Sequence, residues 1–418
     1  MDRIIIPGKL KGRIDAPSSK SMSQRALLLA AFLPGHKRIG PISGCDDENI
    51  ALDVCKATGM RVIKDGNYYN IYGDFSTPES VNVGESGTTM RLILGLMAAR
   101  KCRCEIETEG ILLERPLKPL IEVLESVGCR FSLNGNRLFF DGSNAQSVSE
   151  IHINGEQSSQ FTSSLMFYMA LNPTGKKIIH IEGKMTSSGY IQMTASILKK
   201  LALKVKIEGQ RIEIDGILSE MNSTLEIEGD YSSAAFMIAA GLLFSEDGIE
   251  IGNLDENSLQ PDRNVLYILN DVLNIGNSTV HVKKQDIPTE LMVDVDLNPD
   301  LAPVIALLGM FSRNGCLIKN PDRLSGKESN RKEAIIEIAG SFGCPVMEDE
   351  KGLFIGSRED NCNPVIPLSK DHRIIMLSIL ALAAVSDKFV VYNSQFLGKS
   401  YPSFIDDLIS LGFSEESE

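Results

Sequence analysis

Six short polar loops along the chain each open directly into an apolar helical stretch, and they recur about every 65 to 74 residues. A fixed period of that length limits the chain to a fold built from one repeated supersecondary unit. The loops are Ser18 to Arg25, Glu85 to Arg91, Ser158 to Ser164, Asp230 to Ala235, Asp300 to Pro303 and Lys370 to Arg373. Runs such as Ala26 to Ala31 and Leu377 to Ala384 follow them. Each loop is expected to present a helix N-terminus with free backbone donors, to which anions are attracted.

After each apolar helix the sequence predicts a second helix with a glycine near its end, then two alternating strands. Residues 120 to 132 carry Leu or Ile at helical spacing, Gly128 follows as a left-handed cap, and Asn134-Gly135-Asn136 marks a hairpin. The segment 335 to 347 with Gly343 repeats the pattern, and similar cassettes lie at 51 to 73 and 193 to 216, with a weaker one at 264 to 283. The last copy lacks a closing hairpin, and strands at 3 to 7 and 11 to 16 are expected to complete the set. Three repeats per domain then place residues 19–228 in a continuous domain and residues 1–18 with 229–418 in a discontinuous one. Two crossovers suggest hinge closure around a cleft that holds the active site.

A chain of 418 residues suits two domains. Its formal charge of −13 argues against nucleic acid and anionic membranes as partners, leaving small anions wherever basic residues converge. The eight cysteines form no CxxC pair, and no metal site is expected; they read as buried thiols of a cytoplasmic protein. No apolar run reaches the length of a membrane span, and the N-terminus has neither signal nor transit character. Only the acidic tail, Ser414 to Glu418, is expected to be disordered. Met90, Met166, Met169 and Met376 read as core, and His36, His152, His180 and His281 show no partner pattern.

Nine strings in order carry the chemistry: Ser19 to Arg25, Glu85 to Arg91, Glu114 to Pro116, Ser158 to Phe161, Ser188 to Ile191, Pro299-Asp300, Lys327 to Arg331, Asp371 to Arg373 and Gly398 to Pro402. Together they resemble the 5-enolpyruvylshikimate-3-phosphate (EPSP) synthase family over nearly the whole chain. That resemblance implies an α/β fold, a two-domain inverse α/β barrel of six βαβαββ repeats. It also implies transfer of the enolpyruvyl group of phosphoenolpyruvate to the 5-hydroxyl of shikimate 3-phosphate, without metal or organic cofactor, by a monomer.

Carried over by motif, Lys20, Ser21, Arg25, Ser158, Ser159, Gln160, Ser187, Asp300 and Lys327 are expected to hold shikimate 3-phosphate. Lys20, Gly87, Arg115, Gln160, Arg331, Arg373 and Lys399 are expected to hold phosphoenolpyruvate, where paired arginines suit a carboxylate. Asp300 and Glu328 are the expected acid and base, with Lys20, His372 and Lys399 sharing the proton traffic. Three positions depart from the family's strings: Glu85 replaces Asn, Asn330 replaces Asp before Arg331, and Ser325 replaces a frequent Arg. A glutamate at 85 repels phosphoenolpyruvate if it points inward and is harmless if it points outward. Two other readings stand beside this one. The UDP-N-acetylglucosamine enolpyruvyl transferases share the architecture but are expected to carry a loop cysteine, which residues 109 to 116 lack. A non-catalytic anion-binding homologue would keep the fold without turnover.

Overall fold

The computed structural model describes residues 2–359 and 364–416. The chain forms two compact units, Ser18–Ile227 and Met1–Pro17 with Glu228–Glu418. The first contains helices α1 (Lys20–Phe32), α2 (Asp46–Ala57), α3 (Gly87–Ala99), α4 (Lys118–Ser126), α5 (Ser159–Leu171) and α6 (Ser188–Lys200). The second contains α7 (Tyr231–Phe244), α8 (Val265–Ile268), α9 (Ala302–Phe311), α10 (Arg331–Ser341), α11 (His372–Ala383) and α12 (Phe404–Leu411).

The second repeat shows the common plan. Strand Ser80–Asn82 leads into α3, and Arg103–Glu107 returns parallel to that strand; α4 then leads into the hairpin Arg130–Asn134 and Arg137–Asp141. The second hairpin strand, Arg137–Asp141, lies antiparallel to Arg103–Glu107, and the hairpin completes a four-stranded sheet. Gly128 and Gly135 adopt φ of 103° and 60°, the left-handed values expected of a helix end and a tight turn. On the last strand Leu138 and Phe140 are buried while Phe139 faces out, the alternation of a half-covered sheet.

Strands exchanged between the ends of the chain complete the repeats. Ser223–Glu226 pairs parallel with Gly35–Gly40 and so closes the first unit. Gly12–Asp15 pairs parallel with Ile249–Gly252. Arg3–Ile6 lies between Phe389–Val391 and Ser414–Glu415, antiparallel to both. The expected disorder of the tail is therefore corrected at Ser414 and Glu415. These residues pair with Ile6 and Ile5, and Arg3 holds Glu415 in a two-pronged ion pair at 2.8 and 2.6 Å. Among the described residues this sixth sheet has three strands rather than four.

The first helix of each repeat is buried on nearly every side, as in α1 from Met22 to Phe32, whereas the second exposes one face. Helices α3 and α5 approach so closely that a Cβ on Gly95 would lie 2.0 Å from the Ser164 carbonyl oxygen. The Gly95 N–H donates to Ser164 Oγ at 3.0 Å across the same contact. Met90, Met166, Met169 and Met376 lie in the two cores. Cys45, Cys55, Cys102, Cys104, Cys129 and Cys316 are buried free thiols, Cys344 is buried, and Cys362 lies outside the described residues. Burial pushes Cys55 up to about 12 and Cys102 to about 11, which suppresses the reactive thiolate. No described helix is long and apolar enough to cross a membrane.

Candidate functional site

In the unit Ser18–Ile227, hydrogen bonds tie together the first turns of the three buried helices. Gln24 of α1 donates to Ser86 Oγ at 2.9 Å and to Thr89 Oγ1 at 3.0 Å, both at the start of α3. Gln160 of α5 donates to Thr88 Oγ1 at 2.9 Å and accepts from Arg91 Nη1 at 2.8 Å. Arg91 Nη2 then donates to the Pro116 carbonyl at 3.0 Å, which fastens the loop bearing Arg115. A Cβ on Gly87 would sit 2.8 Å from a guanidinium nitrogen of each of Arg91 and Arg115, so glycine leaves the room in which both cations approach the helix start.

Arg25 is 1% exposed and, among the described residues, its acceptors are all neutral: Thr194 Oγ1 at 2.8 Å, the Ser21 carbonyl at 2.7 Å and the Tyr190 carbonyl at 3.5 Å. Its guanidinium lies 5.9 Å from the Tyr190 ring centre. Burial pushes Arg25 down to about 10, which still leaves it charged at neutral pH. A buried cation without a carboxylate is an unmet electrostatic demand. Ser158 caps α5, Ser159 begins it, and Ser187 stands before α6 with φ of 50°. Lys20 differs from Arg25 in having an anion, Asp47 Oδ2, at 3.1 Å. Next to Asp47, Glu48 is fully buried and accepts from Ser23 at 2.6 Å, Ser43 at 2.5 Å and the Gly44 N–H at 2.9 Å.

The other unit gathers charges of both signs. Arg331 is fully buried and reaches three carboxylates: Asp300 at 2.7 Å, Glu328 at 2.6 Å and Asp371 at 2.7 Å. Arg373 lies 3.3 Å from Asp300, and its Nη1 is 3.0 Å from His372 Nε2. Burial pushes the Asp300 carboxyl up, but Arg373, Lys327 and Arg331 outweigh it and hold the group well below the usual carboxylate range. Burial likewise opposes the charge of Arg331, and Asp371, Glu328 and Asp300 override it. Lys327 follows the 3-10 turn Pro321–Gly326, and Lys399 ends the turn Ser394–Lys399, which packs on α11.

Several sequence expectations change here. Four of the six loops already spend their caps on their own helices: Ser86, Ser158, Asp230 and Asp371 each accept a backbone N–H, so the six N-termini are not equally free. Glu85 is exposed, with its carboxylate against the backbone of Gly110. Asn330 caps α10, accepting from Glu333 N at 3.4 Å, while three carboxylates hold Arg331 in place. His152 and His180 do have partners: they sit opposite each other on parallel strands, stack at 4.6 Å and approach Glu182 and Glu150. Gln24, Arg91 and Asp371 lie within the motif strings but received no site assignment from the sequence, and Asp47 was passed over. For Asp371 a signal was present, since an Asp immediately before an apolar helical run is a cap signature.

The same fold is found in solved enolpyruvyl transferases. The solved structure of EPSP synthase from Acinetobacter baumannii superposes with a TM-score of 0.79 at 19% identity, covering all of both chains. The enolpyruvyl transferase NikO from Streptomyces tendae gives 0.76 at 15% identity, covering 100% of this chain and 99% of that one. In sequence, the 3-phosphoshikimate 1-carboxyvinyltransferase of Picrophilus torridus is 40% identical over 406 residues, 96% of each protein. That of Thermoplasma acidophilum is 34% identical over 408 residues, 97% of each. The family model for EPSP synthase (3-phosphoshikimate 1-carboxyvinyltransferase) matches residues 4–408, and this chain belongs to that family.

Proposed function

We infer that this chain carries out the reaction of its family, moving the enolpyruvyl group of phosphoenolpyruvate to the 5-hydroxyl of shikimate 3-phosphate with release of phosphate. The step serves chorismate and aromatic amino acid biosynthesis. The observation that carries the reading is end-to-end family membership, with each motif cation retained at its place. In this reading Arg25 meets its missing anion in shikimate 3-phosphate. Ser21, Ser158, Ser159, Gln160 and Ser187 supply hydroxyl and amide donors, and Lys327 a further cation. Phosphoenolpyruvate takes Lys20, Arg115, Gln160 and Lys399 at its phosphate end, beside Gly87, and Arg331 with Arg373 at its carboxylate.

Phosphoenolpyruvate enters the second set by exchange. Its carboxylate replaces Asp300 and Glu328 on the two arginines, and both carboxylates regain proton affinity as their counter-ions turn away. Asp300 then takes the 5-hydroxyl proton while the oxygen bonds to C2, and the methylene carbon gains a proton through Glu328. The tetrahedral adduct collapses as C2 loses phosphate and the methyl carbon returns its proton. Lys20, His372 and Lys399 share this traffic. The protein acts as a cytoplasmic monomer, a setting that suits its free thiols.

Phosphate release with both substrates present tests the reading. Turnover is expected with wild type and its loss with Lys20→Met. Binding of shikimate 3-phosphate without release of phosphate would leave only the non-catalytic homologue.

A further inference from the structure

One buried hydroxyl joins α1, α5 and α6, the helices whose starts are marked by Ser21, Ser158 and Ser187. It belongs to Thr194 of α6, which is fully buried. Thr194 Oγ1 accepts from Arg25 Nε of α1 at 2.8 Å, and it lies 2.8 Å from Ser163 Oγ of α5 and 3.0 Å from the Tyr190 carbonyl one turn earlier in its own helix. A threonine hydroxyl has one proton to give and two lone pairs to accept with. When the proton goes to the Tyr190 carbonyl, in the back-bond that threonine makes within helices, both lone pairs are left for Arg25 and Ser163. All three contacts are then satisfied at once. Arg25 is 1% exposed and Ser163 and Thr194 are 0% exposed, so bulk water offers none of them another partner.

A guanidinium has five N–H bonds. Among the described residues, Arg25 Nε donates to Thr194, Nη1 to the Ser21 carbonyl at 2.7 Å and Nη2 to the Tyr190 carbonyl at 3.5 Å. One N–H on each terminal nitrogen is left, the pair with which a guanidinium grips an anion at two points. The three anchors are unequal. The Tyr190 carbonyl is at the limit of hydrogen-bond length and also faces the Thr194 hydroxyl, while the Ser21 carbonyl lies on the same helix as Arg25 and moves with it. Thr194 is therefore the short anchor that fixes the guanidinium against a second helix.

We propose that Thr194 is a positioning residue for shikimate 3-phosphate, its hydroxyl holding the Nε edge of Arg25 so that the two remaining N–H bonds meet the substrate anion together. This rests on the transferase reading, in which Arg25 is a ligand of that substrate. Without the hydroxyl the buried Nε–H loses its acceptor, and the guanidinium regains one only by turning that edge toward another oxygen, which withdraws the fork from the anion.

The test is the calorimetric affinity for shikimate 3-phosphate of wild type and Thr194 variants. Thr194→Val keeps the branched shape and removes the acceptor; it is expected to weaken binding about tenfold, the scale of one hydrogen bond to a charged group. Thr194→Ser keeps the hydroxyl and is expected to stay within about threefold of wild type. Added to Arg25→Met, Thr194→Val is expected to change the affinity by less than about twofold, because Thr194 acts through the guanidinium. Undiminished binding by Thr194→Val overturns the proposal, as does a serine variant as weak as the valine one, or a valine effect that persists in full without Arg25. Should Thr194→Val fail to fold, Thr194→Cys takes its place with the same expectations, since sulfur is a weak acceptor. Wild-type binding is the control. Its absence refutes the transferase reading, whereas wild-type binding with an unchanged valine variant refutes the role of Thr194 alone.

Discussion

The two units satisfy their buried arginines in opposite ways. In Ser18–Ile227, Arg25 rests on hydroxyl and carbonyl oxygens, and among the described residues no carboxylate pairs with its guanidinium. In the other unit, Arg331 is surrounded by three carboxylates, and Arg373 lies beside one. The difference teaches where an anion can be added and where it must be exchanged. The first set gains an ion partner by binding; the second loses one internal pair for each external pair it forms.

The largest expected effect comes from removing the centre of the second set. Arg331→Met leaves Asp300, Glu328 and Asp371 facing one another without their shared cation, and a loss of about 3 to 5 kcal/mol is expected in denaturant unfolding. Arg25→Met should change stability by about 1 kcal/mol or less, because no buried anion is orphaned, yet weaken shikimate 3-phosphate about 10- to 100-fold in calorimetry by losing its charge-assisted bonds. Equal destabilisation by both variants would break the contrast.

Acid titration sharpens it within the second unit. The folded Asp300 lies below its unfolded value, so its stabilisation is present above about pH 5 and is lost as pH falls below 4. Asp300→Asn should flatten that fall in thermal unfolding. Asp262 has the opposite sign. Its folded value lies above the unfolded one, so wild type loses stability as pH rises from about 4 to 7, and Asp262→Asn should melt several degrees higher than wild type at pH 8 and about equally at pH 4. Parallel pH trends for the two variants would contradict the assignment.

The smallest expected effect belongs to the first unit. Gly87→Ala should leave the fold intact, since alanine favours a helix start by up to about 1 kcal/mol. Its methyl group displaces the heads of Arg91 and Arg115, and KM for phosphoenolpyruvate is expected to rise about tenfold, with the affinity for shikimate 3-phosphate unchanged. Steady-state kinetics with each substrate varied in turn check this.

The period of the polar loops already contained the six helices, and alternation with turn residues contained the hairpins, because both depend on side-chain spacing within a few residues. The motif strings named Arg331, Arg373, Asp300 and Glu328, which the fold gathers into one cluster. Other members left little trace. Gln24 joins helices through residues 62 and 65 positions away, and Asp262 and Ser232, 30 positions apart, share one hydrogen bond. No local pattern records such a pairing, because each partner is an ordinary polar residue until folding removes water from between them. The tail misled for the same reason. Its acidity reads as solvation, while a strand from the opposite end of the chain supplies both a backbone partner and Arg3.

Sequence alone determined the repeated unit, its helix and strand alternation and the kinds of side chain at each loop, since these follow from periodicity and the chemistry of individual residues. Tertiary structure alone decided which charges were paired. Arg25 and Arg331 are the same residue type near helix N-termini, and only their surroundings among the described residues left one without an anion and gave the other three. The physical reason is that a charge's energy in a protein is set by desolvation and by neighbours within a few ångströms, most of them distant along the chain.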